Sequence, residues 1–464
     1  MDILTKKCSC PKGAQPFFGE GFSRREFMRV GATGLVASWF ASVTSPSLLQ
    51  AATAVSPRLH NTARNCILIF LNGGPPQTDM WDLKEGAWLP ADFAPTSYGQ
   101  VRWPQGLMPK LATHLDKLAI IRSASAWAAV HPLAARWSQI ARNPTGAGAA
   151  IAPHIGAVVA LETSLKRTDA EVLPGFLALG ANPSGSSGYL SASNAPFQVT
   201  PSPTGLSALV HPDGKDRIEA RWKLAELLDA DRANGELGRD AMDQASYYTA
   251  AKRLIDTPNV NGTFTFTTEE RTRYGTTVLG DSLIVARNTI ASGLGTRFVQ
   301  VTQGGWDLHA NIYVRPGGIY GVAGQLDNAL GALLTDLSTM PGHDAGKTLL
   351  DETMVVVFGE FGRTVGNING GKGRDHFLRQ SVVLAGGGIK GGRVIGATDT
   401  TGAKATEYGW RANRDVRPED VTATIYSALG IDYTTVRRDD PTRRGFEYVP
   451  GAKDGAYEPV SELF

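Results

Sequence analysis

Cysteine is scarce in this chain. Among 464 residues only Cys8, Cys10 and Cys66 carry a thiol. Cys8 and Cys10 form a Cys-x-Cys pair of the kind that can bind metal, but beside a leader segment such a pair reads as incidental. Without it Cys66 stands alone, so no internal disulfide framework is available and the core must hold without staples. Charge of one sign is also lacking: 46 Lys and Arg face 44 Asp and Glu, a formal balance of +2. No basic stretch points to nucleic acid, and no acidic tail points to a solvating arm. Past the N-terminal segment, no run reaches the roughly 18 apolar residues that cross a membrane. What is present is 42% hydrophobic content and 53 glycines, an ordinary globular composition with many tight turns. The length allows roughly two or three domains.

The N-terminus reads as an address. Ser23-Arg24-Arg25-Glu26-Phe27-Met28 supplies paired arginines followed by Phe, and a small-residue apolar stretch runs from Val30 to Phe40. Ala52-Thr53-Ala54 then offers a small-x-small processing site. This order predicts a twin-arginine signal peptide over residues 1–54, with the twin-arginine export machinery as a partner and a periplasmic or secreted mature chain. That route carries proteins already folded.

From residue 55 onward short apolar segments alternate with helical patterns. Asn65–Leu71 is a continuous apolar run ending in Asn72-Gly73-Gly74-Pro75-Pro76, the mark of a buried parallel strand stopping at a tight turn. Further strands are predicted at Leu118–Arg122, Arg297–Thr302, Thr353–Phe358 and Ser381–Ala385, and helices at Thr268–Ser292 and Tyr320–Leu337. The alternation predicts an α/β fold with a doubly wound, mostly parallel sheet. Gly180–Gly205, rich in Gly, Ser and Pro, reads as loop, and Asp216 to about Asp256 as helical. Together they predict a cap-like helical and loop insertion at about 180–265 within one main domain spanning 55–464.

Open α/β sheets bind ligands at the carboxyl ends of their strands. Asp79 follows the first strand. Gly304-Gly305-Trp306-Asp307-Leu308-His309 follows the strand at Arg297–Thr302, Glu360-Phe361-Gly362-Arg363-Thr364 follows Thr353–Phe358, and Gly373-Arg374-Asp375-His376 precedes Ser381–Ala385. Crowded carboxylates are costly unless a cation neutralises them. Asp79, Asp307, His309, Glu360, Asp375 and His376 are therefore the candidate metal ligands, with Asp375 either a ligand or the group that orients His376. Mixed Asp, Glu and His donors suit a divalent metal, zinc foremost, with manganese, iron or calcium as alternatives and one or two ions. Arg363 is a candidate for forked oxyanion binding, with a salt bridge to Glu360 as the competing role.

These segments resemble the bacterial domain of unknown function 1501 family, as do Ala385-Gly386-Gly387-Gly388-Ile389-Lys390-Gly391-Gly392 and the late segment Val416–Tyr426. The resemblance runs from about Cys66 to Phe464. That family is similar to the alkaline phosphatase and sulfatase superfamily, which implies an alkaline phosphatase-like fold and a two-metal hydrolase of phosphate or sulfate esters. By that resemblance Asp79 is the first-strand ligand, Asp307 and His309 are the paired Asp and His at a shorter spacing, and His376 is the late His. Glu360 stands where an Asp-His pair ends a strand. The sequence departs from the pattern at the nucleophile. No Cys-x-Pro-x-Arg type motif is present, and the helix after the second strand is expected to start near His131-Pro132, where no hydroxyl sits. Ser125, a little upstream with Ser123, is the candidate nucleophile, and His131 a candidate ligand, acid or base, or cap.

Two functions follow. One is an exported metal-dependent hydrolase of phosphate or sulfate esters, acting through metal-activated water on a small-molecule or glycan ester. The other is a non-catalytic periplasmic binding or assembly protein that keeps the fold.

Overall fold

The computed structural model describes residues 57–180, 185–206, 214–228 and 239–464. The expected leader, with Cys8 and Cys10, lies outside the described residues, as do parts of the expected insertion. The sheet has eight strands: β1 (Asn65–Leu71), β2 (Leu118–Ser125), β3 (Phe176–Leu179), β4 (Phe197–Val199), β5 (Phe298–Gln303), β6 (Thr353–Phe358), β7 (Arg379–Ala385) and β8 (Arg393–Ile395). Their order is β8-β2-β7-β6-β1-β5-β3-β4. Every pairing is parallel except those of β7, which runs antiparallel to both β2 and β6. Among the described residues the helices of seven residues or more are α1 (His131–Ile140), α2 (Ile155–Ser164), α3 (Lys215–Leu228), α4 (Arg239–Asp256), α5 (Thr268–Tyr274), α6 (Val278–Ala291), α7 (Gly318–Thr339) and α8 (Pro418–Ala428).

The central strand shows why the sheet is covered on both faces. All seven residues of β1 are buried. Side chains alternate across a strand. Ile67, Ile69 and Leu71 join Leu283 of α6 and Leu330 of α7 in one core, while Cys66 and Leu68 join Val158 of α2 and Ile425 of α8 in the other. The result is the mostly parallel, helix-flanked sheet expected from the alternation of elements. Among the described residues no helix is long and apolar enough to cross a membrane.

Several details differ from the sequence reading. Thr268–Ser292 is two helices, because Gly275 ends α5 in the left-handed conformation (φ +101°) and Thr277 caps α6. The stretch Gly180–Gly205 is not all loop, since β4 pairs with β3 at the sheet edge. β3, β4 and β8 have three or four residues each, too few to show a period.

The antiparallel setting of β7 matters for function. Its amino end lies at the same sheet edge as the carboxyl ends of β1, β5 and β6. Residues that precede β7 are thereby brought to residues that follow the other strands.

Candidate metal centre

α1 begins at His131, with Pro132 in its first turn. Proline costs nothing there, because its missing N–H would have no partner in the helix. This start delivers the His131 imidazole to the sheet edge. The loop after β5 delivers Asp307 and His309, and the segment before β7 delivers His376. One ligand atom from each of these four residues lies within 4.8 Å of every other. The approach is tight: Gly73, after β1, has φ +118°, and a Cβ there would sit 2.5 Å from the Asp307 nitrogen.

Hydrogen bonds at the far side of each ring set the imidazole tautomers. His131 Nδ1 donates to Glu360 Oε1 at 2.6 Å. His309 Nδ1 donates to Asp375 Oδ1 at 3.0 Å. His376 Nδ1 donates to the Ala129 carbonyl at 2.8 Å, where only donation by the ring can satisfy both atoms. Each neutral ring therefore presents an Nε2 lone pair inward. His309 Nε2 and His376 Nε2 are 2.8 Å apart. Asp307 Oδ1 lies 3.2 Å from His131 Nε2, 3.1 Å from His309 Nε2 and 3.8 Å from His376 Nε2. Four acceptors facing one another repel unless a cation lies among them. His131 Nε2 and Glu360 Oε2 are buried without a hydrogen-bond partner. Three imidazole nitrogens and one carboxylate oxygen, each ring steadied from behind, form a donor set that fits a divalent cation.

Electrostatics favour the neutral form of His376 and the ionised forms of Asp307 and Asp375. Burial lowers the His376 pKa, as do the nearby Arg363, His131 and His309, against the bond to the Ala129 carbonyl. Burial alone would raise the Asp307 carboxyl, but the Arg363 hydrogen bond and charge, with His131 and His309, outweigh it and hold it below the usual carboxylate range. The hydrogen bond from His309 holds Asp375 low in the same way. The cluster opens to solvent on one side: the Asp307 and His309 side chains are 52% and 44% exposed, against 26% for His131 and 25% for His376.

The other sequence candidates are placed as follows. Glu360 touches His131 from behind rather than the shared point, and also accepts from the Gly73 N–H at 2.8 Å. Asp375 has the same relation to His309. Arg363 does not pair with Glu360; it reaches Asp307 Oδ1 at 2.6 Å. Its other donors go to the carbonyls of Gly73, Gly74 and Arg374. A fully buried guanidinium used in this way has no free fork for an oxyanion. Asp79 is not in the cluster. It is fully buried in a two-pronged ion pair with Arg374, at 2.8 and 3.0 Å, and accepts from the Tyr313 hydroxyl at 2.9 Å. Ser125 is buried in β2 and its hydroxyl turns to the Ala126 carbonyl at 3.4 Å; Ser123 donates to the Tyr408 carbonyl. Sequence reasoning missed Tyr313, Gly73 and the Ala129 carbonyl. The two backbone groups carry no sequence signal, and Tyr313 lies 234 positions from the carboxylate it serves.

The family described as "Protein of unknown function (DUF1501)" matches residues 63–443. The chain belongs to that family. No curated protein matches. Among solved structures, the chain is similar to Ps i-CgsB in complex with k-i-k-neocarrahexaose, at 11% identity over 86% of this chain and 79% of that one, with a TM-score of 0.40. It is similar to the lipoteichoic acid synthase LtaP from Listeria monocytogenes at 11% identity, with the same coverages and a TM-score of 0.37. A protein in the alkaline phosphatase superfamily from Vibrio parahaemolyticus gives 12% identity, 82% and 68% coverage and a TM-score of 0.32.

Proposed function

We propose that His131, Asp307, His309 and His376 hold one divalent cation, zinc foremost, and that the chain is an exported hydrolase of phosphate or sulfate esters. The carrying observation is the inward convergence of three imidazole lone pairs on one carboxylate. A divalent cation in this place supplies Lewis acidity to an ester oxygen and lowers the pKa of a water. The chain's own residues do the rest. Glu360, Asp375 and the Ala129 carbonyl keep the Nδ1 protons out of the centre. Arg363 fixes Asp307. In this reading Asp79 supports the fold through Arg374 and Glu360 and Asp375 are orienting groups, so the reading calls for one ion rather than two. Ser125 is not a nucleophile in it. The leader at 1–54 and twin-arginine export belong to the same proposal.

A second reading, a binding or assembly protein, is favoured by the burial of Arg363 among backbone carbonyls and Asp307 and by the absence of a hydroxyl or thiol among the four cluster residues. Metal analysis of the purified chain, followed by aryl phosphate and aryl sulfate assays, separates the two. One equivalent of metal with turnover that Asp307→Ala abolishes supports the hydrolase. Bound metal with no turnover on either ester supports the second reading, and no bound metal in protein folded in its native host overturns the metal site and the hydrolase reading with it.

A further inference from the structure

A second concave site lies at the far end of α1. Ala141 ends the helix in the left-handed conformation (φ +50°), and the chain then turns Arg142 into a cavity of about 510 Å³. Arg438, Arg444 and Lys453 line the same cavity, with Glu447 as its single acidic side chain. The nearby acids are already engaged. Asp439 is paired with Arg437. Asp440 accepts from the Thr442 and Gly445 amides, and Glu447 Oε2 accepts from the Gly451 amide.

Arg142 differs from an ordinary surface cation. Its guanidinium lies 3.8 Å over the Phe446 ring and donates to the Glu447 carbonyl. Its Nε is buried with no hydrogen-bond partner. Burial lowers its pKa to about 10, against the opposing influence of Tyr426, Glu447, Tyr189 and Glu419. Among the described residues no ion pair with a carboxylate joins any of the four cations. Gathering four positive charges in one concavity raises the free energy of each unless an anion enters.

His131 opens α1 at the metal centre and Arg142 follows its other end. The ten residues of α1, at about 1.5 Å each, put about 15 Å between its two ends. We propose that the Arg142 cavity is a subsite for a phosphate or sulfate group of an extended polyanionic polymer, another group of which reaches the cluster at the start of α1. The proposal rests on the ester-hydrolase reading for the second group only. The cavity's own anion binding does not depend on metal.

The test uses the full chain. Dextran sulfate, neutral dextran, sodium sulfate and sodium phosphate are titrated into the wild type, Asp307→Ala and the double variant Arg444→Gln/Lys453→Gln. Both substituted residues of the double variant are exposed, and unchanged circular dichroism and metal content verify its fold. Dextran sulfate is expected to bind the wild type, and neutral dextran is not. The double variant should bind dextran sulfate about tenfold more weakly, as expected for losing charge-assisted hydrogen bonds. Equal binding by the double variant overturns the proposal. Free sulfate or phosphate binding as tightly per group as the polymer overturns the extended-ligand assignment. Aryl ester turnover reports separately on the hydrolase reading: its absence, with cavity-dependent polymer binding intact, removes that reading and leaves the subsite.

Discussion

Replacing Glu360 by Gln changes one charge and almost no volume at a fully buried position. The wild-type carboxylate accepts the His131 Nδ1 proton at 2.6 Å and the Gly73 amide proton at 2.8 Å through the same oxygen. In Glu360→Gln the amide oxygen takes that place, because both neighbours are donors, and the amide nitrogen occupies the side now held by the unpartnered Oε2. The tautomer of His131 is therefore kept. What is lost is the charge that strengthens the hydrogen bond and makes Nε2 a better donor to a cation. A hydrogen bond to a charged group is worth about 1.5–3 kcal/mol, against about 0.5–1.5 for a neutral one. The difference, about 1–1.5 kcal/mol, corresponds to a loss of about tenfold in metal affinity, at the low end of what orienting groups contribute. The assay is competition of the chelator-stripped variant against a zinc indicator, with the unfolding midpoint as a check on folding. A folded Glu360→Gln protein that binds one zinc as tightly as the wild type would refute the contribution of the Glu360 charge to metal binding.

Three further outcomes follow from the same geometry. Asp79→Asn leaves the Arg374 guanidinium buried without its counter-charge and should cost about 3–5 kcal/mol in denaturant unfolding; metal stoichiometry should hold, and a drop in stoichiometry at unchanged stability would return Asp79 to the ligand set. Gly373→Ala places a Cβ 2.1 Å from the His309 carbonyl carbon, so the His309 loop must move and metal binding should fall by at least an order of magnitude; full binding by equilibrium dialysis would contradict this. In metal-free protein, proton NMR should titrate His376 below the ordinary imidazole value of about 6.5, because burial disfavours its charged form. A pKa depressed in the folded state means the unfolded chain binds more protons in the window between the two values. Stability from this group is then present above the unfolded value and is lost as pH falls through the folded one. A midpoint above 6.5 would reverse that sign.

Much of the architecture was legible because it is local. The uninterrupted apolar run of β1 and the turn residues that stop it mark a strand buried on both faces, and the structure places it at the centre of the sheet. His131-Pro132 marks the start of α1 because proline needs no helical donor partner there. The rule that ligands gather at strand ends points in the sequence to Asp79, Asp307, His309, Glu360, Asp375 and His376, of which the fold brings Asp307, His309 and His376 together with His131. Strands of three or four residues and the break at Gly275 escaped, since neither leaves a period long enough to read.

The choice among carboxylates was not legible. Asp79, Asp307 and Glu360 all follow strands, and in the sequence they look equivalent. The fold gives them three different partners: Arg374 takes Asp79 across 295 positions, His131 takes Glu360 across 229, and only Asp307 reaches the shared point. Sequence alone determined which elements form and which edge of the sheet collects the polar groups, because backbone propensity and hydrophobic period act over a few residues. Tertiary structure decided which side chains meet at the cluster, which touch an imidazole from behind and which neutralises a buried arginine, because those placements depend on contacts of about 3 Å between segments tens to hundreds of residues apart.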